Sequence, residues 1–476
     1  MGQEISHSGF TAQEHAQFRT RLREETKILR RWFEGREFHY SGDSTGGMEL
    51  EAWLLDGSFL PAPRNAEFLS MVDDPGVVPE LSQFNFEINS DPLVLRAGYL
   101  RDTRAALADR WRRCREAAHR LEMTPLAIGI LPTVRDQMLQ PEWMTESNRY
   151  HALNRELARL RGLSPVHIEI HGDDELDYHC GHIMLEAACT SLQVHLKVNQ
   201  DDARRYYNAS LLAAAPLVAV SANSPFLYGQ SLWAETRVPA FEQVTATHGF
   251  RDADGCQIGR TTLGTDYVRH SLLELFIENL SYPTLLPTLF DDPRKLPHLR
   301  LHNGTLWRWC RPLIGFEADG TPHLRIEQRV MAAGPTIDDM VANIALSQGL
   351  TLALGRDGPA LEEEIGFDQV RENFHACARG GLDARVRWRG REVGVQALLL
   401  DHLIPAARLA LERQDLDRDD LDYYFGEILH RRVLTGRNGA CWQRSFVDLH
   451  GKDFQALTQR YAELQLSDNP VHDWSV

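Results

Sequence analysis

The chain has 476 residues, of which 43% are hydrophobic and 25% are charged, and its formal net charge at pH 7 is −16. This composition is typical of a globular protein, and the length allows two or three domains. The excess of acidic residues argues against a nucleic-acid partner that is bound by general electrostatic attraction. A protein of this charge that handles nucleotides must concentrate its positive charge locally or recruit metal ions.

The sequence predicts neither a membrane span nor a disulfide framework. The longest apolar run, residues 211–222, contains Pro216 and Ser221 and is too short to cross a bilayer. The seven cysteines are scattered and form no C-x-x-C pair, which is typical of reduced thiols in the cytosol. The N-terminus carries no basic-then-apolar signal peptide. We therefore expect a soluble cytoplasmic protein without a membrane partner, and the sequence leaves open whether it forms a homo-oligomer.

Hydrophobic periodicity predicts helices at both ends of the chain. Apolar residues at helical spacing predict an amphipathic helix over residues 11–34 and a group of C-terminal helices within residues 394–465. The region between them alternates predicted strands and helices. Because no repeat, low-complexity tract or flexible linker separates these segments, we predict one domain over residues 1–476 with helices appended at its two ends.

The first candidate site residues lie on two predicted strands. On the first strand, which ends at the turn Asp56-Gly57, Glu49 and Glu51 share one face. Two like charges side by side on a strand repel each other, so a cation is expected between them. The second strand, residues 83–89, carries Glu87. These three carboxylates are candidate metal ligands.

A short predicted strand over residues 166–171 carries a second candidate metal set. It places His167, Glu169 and His171 on one face. Imidazole and carboxylate groups are common metal ligands, but no fourth ligand lies nearby in the sequence. An exposed strand face without a metal explains the same pattern.

A long strand is predicted over residues 185–198. Gln193, His195 and Lys197 alternate there with apolar residues and therefore share one face. A lone histidine in such a position is usually structural. An amide, an imidazole and an ammonium together on one face favour a binding role.

The stretch 323–330 places Arg325, Glu327 and Arg329 at alternate positions, just before a Gly-Pro turn. In a strand these three charged groups share one face. A carboxylate between two guanidiniums suits a metal-bound polyphosphate, in which the glutamate holds Mg²⁺ and the arginines neutralise phosphoryl oxygens. A solvated ladder of charges on an exposed antiparallel strand explains the pattern equally well.

These strand residues predict one composite site. Four carboxylates, one imidazole and two guanidiniums on one sheet face would hold two or three Mg²⁺ ions and a nucleoside triphosphate. The sequence contains neither G-x-x-x-x-G-K-[ST] nor G-x-G-x-x-G. Phosphate binding would therefore depend on metal ions and arginines on a sheet, not on a helix N-terminus.

Six short motifs, in order, resemble the glutamate–cysteine ligase type 2 family, the bacterial carboxylate–amine ligases related to plant glutamate–cysteine ligase. They extend over about residues 45–445 and are G-M-E-L-E (47–51), N-F-E-I-N (85–89), T-S-L-Q-V-H (190–195), S-A-N-S-P-F (221–226), L-R-I-E-Q-R (324–329) and E-N-F-H-A-C-A-R-G-G-L-D-A (372–384). The resemblance implies an α+β, glutamine-synthetase-like catalytic fold. In that fold a curved, mainly antiparallel sheet holds ATP and metal ions on its concave face, and helices surround it.

The resemblance also implies a role for each matching residue. Arg329 matches the arginine that contacts the transferred phosphoryl group, and with Glu327 it forms the expected catalytic pair. Arg237 lies where an arginine could receive the carboxylate of the amino-acid substrate. The expected nucleotide contacts are Arg325, Gln193 and Lys197. The positions that match the family's metal ligands, for two or three Mg²⁺ ions or for Mn²⁺ in their place, are Glu49, Glu51, Glu87, His195 and Glu327.

The implied activity is ATP-dependent ligation of a carboxylate to an amine through an acyl phosphate, with release of ADP. The expected acid is L-glutamate, through its γ-carboxylate, and the default amine is cysteine, as in glutathione biosynthesis. The partners are then small molecules: an amino acid, an amine and ATP. Two alternatives stay open, namely a non-catalytic nucleotide-binding or sensing protein on the same fold and a guanidino-type phosphotransferase. The presence of all four glutamates counts against the first, and the glutamate-rich face counts against the second.

Overall fold

The computed structural model of the protein describes residues 4–40, 42–247, 259–356 and 361–476. The strands are Thr45–Leu55 (β1), Val77–Pro79 (β2), Asn85–Asn89 (β3), Leu93–Val94 (β4), Thr124–Leu126 (β5), Val166–His171 (β6), Glu175–Cys180 (β7), Ser191–Val198 (β8), Phe226–Leu227 (β9), Gln230–Ser231 (β10), Cys310–Phe316 (β11), Pro322–Ala332 (β12), Arg385–Trp388 (β13) and Arg391–Gly394 (β14).

Helices surround these strands. They are Ala12–Gly35 (α1), Asn65–Val72 (α2), Tyr99–Arg120 (α3), Asn148–Leu160 (α4), Gln200–Ser221 (α5), Arg237–Val244 (α6), Leu273–Glu278 (α7), Pro297–Asn303 (α8), Ile337–Arg356 (α9), Leu361–Glu364 (α10), Phe367–Gly380 (α11), Val395–Leu398 (α12), Ile404–Glu412 (α13), Arg418–Leu421 (α14), Arg431–Thr435 (α15), Gly439–His450 (α16) and Phe454–Gln465 (α17). Two π-helical segments, Leu399–Leu403 and Asp422–His430, join α12 to α13 and α14 to α15 into continuous helices.

The central feature is an eight-stranded antiparallel sheet that curls on itself. Its strands are ordered β11-β12-β8-β1-β3-β2, and β4 and β5 pair with the two ends of β1. Helices α5 and α9 pack against each other and against β12 and β8. They are buried on nearly every side, as their largely apolar sequences require. The predicted α+β class with a curved, mainly antiparallel sheet is confirmed.

The first helix begins at a capping box that the sequence encodes. The Thr11 hydroxyl accepts a hydrogen bond from the Glu14 backbone N–H at 3.2 Å, and the Glu14 carboxylate accepts one from the Thr11 backbone N–H at 2.7 Å. This reciprocal pair satisfies two N–H groups that a helix start otherwise leaves unpaired. Helix α1 therefore lies over the residues predicted for it, and the single-domain arrangement stays a prediction.

The long strand predicted over residues 185–198 is wrong for its first six residues. The strand begins at Ser191, and Met184–Ala188 form a 3₁₀ helix instead. Leucine, glutamate and alanine favour helical backbone, so the local preference of this segment opposes a strand. This difference from the prediction affects the candidate site, because Glu186 lies on the 3₁₀ helix.

The described part of the chain contains no helix that combines the length and the apolar character needed to cross a bilayer. Its six cysteines are free thiols, and five of them are buried. Cys256 lies outside the described residues.

Because His302 on α8 is buried, we expect the protein to lose stability as the pH falls. Its imidazole is buried, and Nε2 lies 2.8 Å from the Asn279 carbonyl oxygen. Burial, together with the nearby Arg260 and Arg308 guanidiniums, lowers the pKa of His302 from 6.5 to about 4. The unfolded chain therefore takes up a proton first as the pH falls. Neutral His302 makes its full contribution to the free energy of unfolding above pH 6.5. As the pH falls from 6.5 towards 4, the protein loses this contribution, which amounts to about 3 kcal/mol at most.

The measurement is the free energy of unfolding in urea at several pH values between 7.5 and 4.5. In the His302→Gln variant, whose amide can still donate to Asn279, this part of the pH dependence is expected to disappear. Identical pH slopes for the two proteins would contradict the assignment.

Candidate active site

A cavity of about 310 Å³ lies on the face of the curled sheet opposite to α5. Charged side chains from four strands, α4, α8, the 3₁₀ helix Met184–Ala188 and the loop after β2 converge on it. Among the described residues, six glutamates and five arginines line it. They are Glu49, Glu51, Glu80, Glu87, Glu186, Glu327, Arg149, Arg300, Arg311, Arg325 and Arg329. So many opposite charges in one cavity are typical of a site for a highly charged ligand.

Glu49 on β1, His195 on β8 and Glu327 on β12 form the first group of candidate metal ligands. Strand pairing sets this arrangement, because Glu327 lies directly opposite His195 in the register of β12 and β8. His195 Nε2 lies 3.5 Å from Glu49 Oε1 and 3.4 Å from Glu327 Oε1. These distances exceed those of ordinary hydrogen bonds. The buried nitrogen makes no hydrogen bond to any residue that the structure describes.

Glu51, Glu80 and Glu87 form the second group, whose ligand atoms lie within 4.8 Å of one another. Glu51 and Glu87 are directly opposite on β1 and β3, and Glu80 follows the last residue of β2. Burial raises the pKa of Glu51 to about 7, although Arg329 opposes the change, and burial and Glu49 raise the pKa of Glu87. Burial and the neighbouring Glu87 raise the pKa of Glu80 well above its ordinary value.

Both groups fit divalent cations. Carboxylate oxygens are the preferred protein ligands of Mg²⁺, and one imidazole beside them is also compatible with Mn²⁺. The raised pKa values show that burial, and after it the repulsion between neighbouring carboxylates, disfavours the charged forms of the second group. A cation would remove this repulsion, and the unpaired His195 nitrogen lies where the first group would coordinate one.

Glu327 is held as a carboxylate by two arginines. Arg311 on β11 donates to it from Nε at 2.7 Å and from Nη2 at 3.1 Å. Arg329 Nη1 lies 3.5 Å from the same carboxylate. Burial raises the pKa of Glu327, but these guanidiniums outweigh the effect and hold it well below its usual range. Glu327 is therefore ionised and ready to bind a cation.

Arg329 is placed by a β-bulge in β12. The register of β12 on β8 shifts between Gln328 and Met331, because three residue steps on β12 oppose two on β8. The Arg329 guanidinium donates to the side-chain oxygen of Gln193 and makes no hydrogen bond from Nε to any described residue. Gln193 in turn donates to Glu51 at 2.7 Å. This buried guanidinium thus has one N–H without a hydrogen-bond partner among the described residues.

Arg325 lies between this cavity and a smaller side cavity of about 110 Å³. Its Nη1 lies 3.5 Å from His195 Nδ1. Lys197, predicted to bind the nucleotide, does not line the main cavity. Its ammonium donates to Glu317 at 2.6 Å and lies over the ring of Tyr40. Lys197 follows His195 by two residues on β8, at a point where this strand has passed the end of the cavity.

The sequence profile of the glutamate–cysteine ligase family 2 matches residues 45–462. This range includes every residue of the two candidate ligand groups. The chain belongs to this family. The resemblance found in the six motifs is thereby confirmed.

Solved structures of related ligases resemble this family member. The glutamate–cysteine ligase of Francisella tularensis in complex with AMP has 13% sequence identity and a TM-score of 0.52, and the match covers 90% of each chain. A bifunctional glutathione synthetase from Pasteurella multocida has 11% identity and a TM-score of 0.54, with 93% of this chain and 55% of that chain covered. At these identities the likeness shows the fold, and the predicted glutamine-synthetase-like fold is confirmed. No curated protein matches the sequence. Family and fold together support an ATP-dependent carboxylate–amine ligase.

Arg237 is the residue for which the family resemblance implied a substrate contact. It does not line the cavity, and its side chain is buried. Its Nε donates to Glu235 at 3.1 Å, and its Nη2 donates to the Val330 carbonyl at 2.7 Å. Glu235 also accepts from Ser224 and from the Asn223 backbone. Arg237 therefore supports the strand that carries Arg329, and its contact with a substrate carboxylate stays a prediction.

Replacing Arg237 by methionine is expected to destabilise the fold by about 3–5 kcal/mol, because the buried Glu235 carboxylate loses its counter-charge. Urea denaturation measures this loss. The double variant Glu235→Gln with Arg237→Met is the control, and it should recover part of the stability. Unchanged stability together with a raised KM for the acid substrate would instead favour the substrate contact that the sequence predicted.

Five charged cavity residues were missed by sequence reasoning: Glu80, Arg149, Glu186, Arg300 and Arg311. Arg311 precedes Pro312, and a proline obscures a strand pattern, although β11 tolerates it as the edge strand of the sheet. Glu80 follows a strand of only three residues, and Glu186 lies on the turn mistaken for a strand. Burial and Glu51 raise the pKa of Glu186 to about 8.

Proposed function

We propose that the chain is an ADP-forming ligase that joins the γ-carboxylate of L-glutamate to an amine through an acyl phosphate, with cysteine as the first amine to test. The observation that carries the proposal is the convergence of Arg329 and the five glutamates of the two ligand groups on one cavity. His195, the remaining member of the first group, lines the adjoining side cavity. Family membership supports the reaction class. The identity of both substrates is a proposal.

The reaction needs activation because a carboxylate oxygen is a poor leaving group. The carboxylate oxygen attacks the γ-phosphorus of ATP, an O–P bond forms, and the bond from phosphorus to the bridging oxygen of ADP breaks. The neutral amine then attacks the acyl carbon, and the carbon–oxygen bond to phosphate breaks. An amide, ADP, phosphate and one proton result.

The two ligand groups would each hold a divalent cation, with Glu49, His195 and Glu327 around one and Glu51, Glu80 and Glu87 around the other. Bound cations would neutralise the phosphate oxygens of ATP and lower the charge that opposes attack. Arg311 keeps Glu327 ionised through two hydrogen bonds.

Arg329 is the proposed contact of the transferred phosphoryl group, because its Nε–H has no partner among the described residues and its position is set by Gln193. Planar guanidinium donors match phosphoryl oxygens and stabilise the charge that spreads over them during transfer. Arg325 is the proposed nucleotide contact. Leu313 and Ile314 line the cavity beside β12 and offer an apolar wall for the base.

The test is a screen for ADP release with L-glutamate and each of a set of amines, cysteine among them. Hydroxylamine replaces the amine in a parallel series, because it traps an acyl phosphate as a hydroxamate. ADP and amide in equal amounts, with hydroxamate formation in the trap, are the expected result. Binding of ATP without turnover for any pair would favour a sensing protein. Phosphorylation of a guanidino compound would favour a phosphotransferase.

A further inference from the structure

The outer face of the β6–β7 hairpin consists entirely of histidines and acids. The two strands bury Val166, Ile168, Ile170, Leu176 and Cys180 on one side. The six residues on the other side are exposed: His167, Glu169, His171, Glu175, Asp177 and His179. None of these six lines the cavity of the candidate active site. The proposed ligase reaction uses none of them.

Strand pairing brings three of these side chains together across the hairpin. His167 and His179 are directly opposite, and their rings stack with centroids 4.6 Å apart and an angle of 13°. His167 Nε2 lies 3.1 Å from Asp177 Oδ1, and His179 Nδ1 lies 3.9 Å from the same oxygen. One ligand atom from each residue therefore lies within 4.8 Å of the other two.

These spacings match those of a transition-metal site. Ligand atoms bound to Zn²⁺ at 2.0–2.2 Å in a tetrahedron lie about 3.4 Å apart. The observed 3.1 and 3.9 Å bracket this value, so small rotations of the exposed side chains would complete the geometry. Two imidazoles and one carboxylate suit Zn²⁺, Co²⁺ or Ni²⁺ better than Mg²⁺, which prefers oxygen ligands.

We propose that His167, Asp177 and His179 form a peripheral binding site for one Zn²⁺-class cation, with a fourth position open to solvent. The cation ties β6 to β7 on the side of the hairpin away from its apolar face. The sequence predicted a metal face of His167, Glu169 and His171 on one strand. In the proposed site, Asp177 and His179 of the facing strand take the places of Glu169 and His171.

The rest of the face forms a separate set of contacts. His171 lies 2.9 Å from Glu169 and 3.4 Å from Glu175, so its two nitrogens are each paired with a carboxylate. His171 therefore provides a matched control, because it has the same residue type, strand and exposure as His167.

The experiment measures Zn²⁺ bound per chain by equilibrium dialysis of the full-length protein, with Mg²⁺ present in large excess. His167→Ala and His179→Ala are each expected to bind one Zn²⁺ fewer than the unsubstituted protein, and His171→Ala is expected to bind the same number. Co²⁺ provides a spectroscopic signature, since a tetrahedral site gives visible absorption that the first two variants should lose. All three positions are exposed, so the fold should persist, and far-UV circular dichroism checks this.

Equal Zn²⁺ stoichiometry in the unsubstituted protein and in both His167→Ala and His179→Ala would overturn the proposal. Loss of one Zn²⁺ in His171→Ala to the same extent would overturn the choice of ligands. Neither result depends on turnover of ATP, so failure of this site and failure of the proposed ligase activity are distinguishable.

Discussion

Replacing Glu327 by glutamine is expected to abolish ATP-dependent ADP formation while the protein stays folded. The carboxylate belongs to the first ligand group and accepts two hydrogen bonds from Arg311. A glutamine side chain keeps the shape and one acceptor oxygen, but it removes the charge that binds a cation and offsets two guanidiniums. We expect kcat to fall by about 10³-fold or more, since both cation binding and charge stabilisation in the transition state are lost.

The measurement is ADP release under saturating ATP, together with the number of Mn²⁺ ions bound as followed by electron paramagnetic resonance. Glu317→Gln is the matched control. Glu317 lies on the same β11–β12 hairpin, is half exposed and pairs with Lys197 outside the cavity, so turnover should persist. Full turnover and unchanged Mn²⁺ binding in Glu327→Gln would remove Glu327 from the ligand set.

Replacing Arg329 by alanine should cost about 2–4 kcal/mol of transition-state stabilisation, which is about 30- to 10³-fold in kcat. The physical reason is the loss of planar donors beside the transferred phosphoryl group. One of these donors, Nε–H, makes no hydrogen bond to any residue in the described ranges. Gln193 and Glu51 also lose a cationic neighbour, so the net charge of the cavity becomes more negative.

Hydroxamate formation from glutamate, ATP and hydroxylamine isolates the step that Arg329 is proposed to assist. Arg329→Lys should recover part of the rate, because it restores the charge without the planar donors. Arg294→Ala is the control for loss of an arginine elsewhere. It lies at an exposed position, pairs with Asp292 and should not change the rate. An unchanged rate in Arg329→Ala would place Arg329 outside the chemistry.

On β1 and β12, the alternation of residues along the strand was enough to predict which side chains line the cavity. Glu49 and Glu51 on β1, and Arg325, Glu327 and Arg329 on β12, all line the cavity as alternation requires. Strand periodicity is a local property, so a single segment reveals which side chains share a face. The motifs extended this local information, and the family that they indicated is confirmed.

Two predicted site residues lie outside the main cavity and its side cavity, and distant partners set the positions of both. Lys197 shares a strand with His195, but it pairs with Glu317 beyond the edge of the cavity. Arg237 was assigned to a substrate, and its burial beside Glu235 reflects packing that no local pattern encodes. In each case the side chain's chemistry is compatible with binding, its tertiary neighbours hold it outside the cavity, and its binding role stays a prediction.

The sequence by itself determined the alternating faces, the absence of a glycine-rich phosphate loop and the acidic charge that calls for local cations. Only the tertiary structure decided which carboxylates form a group. Pairing of β1, β2 and β3 brings Glu80 to Glu51 and Glu87, and pairing of β11 with β12 brings Arg311 to Glu327. The reason is physical. A strand's faces follow from its own backbone, whereas register and bulges arise from contacts between segments far apart in the chain.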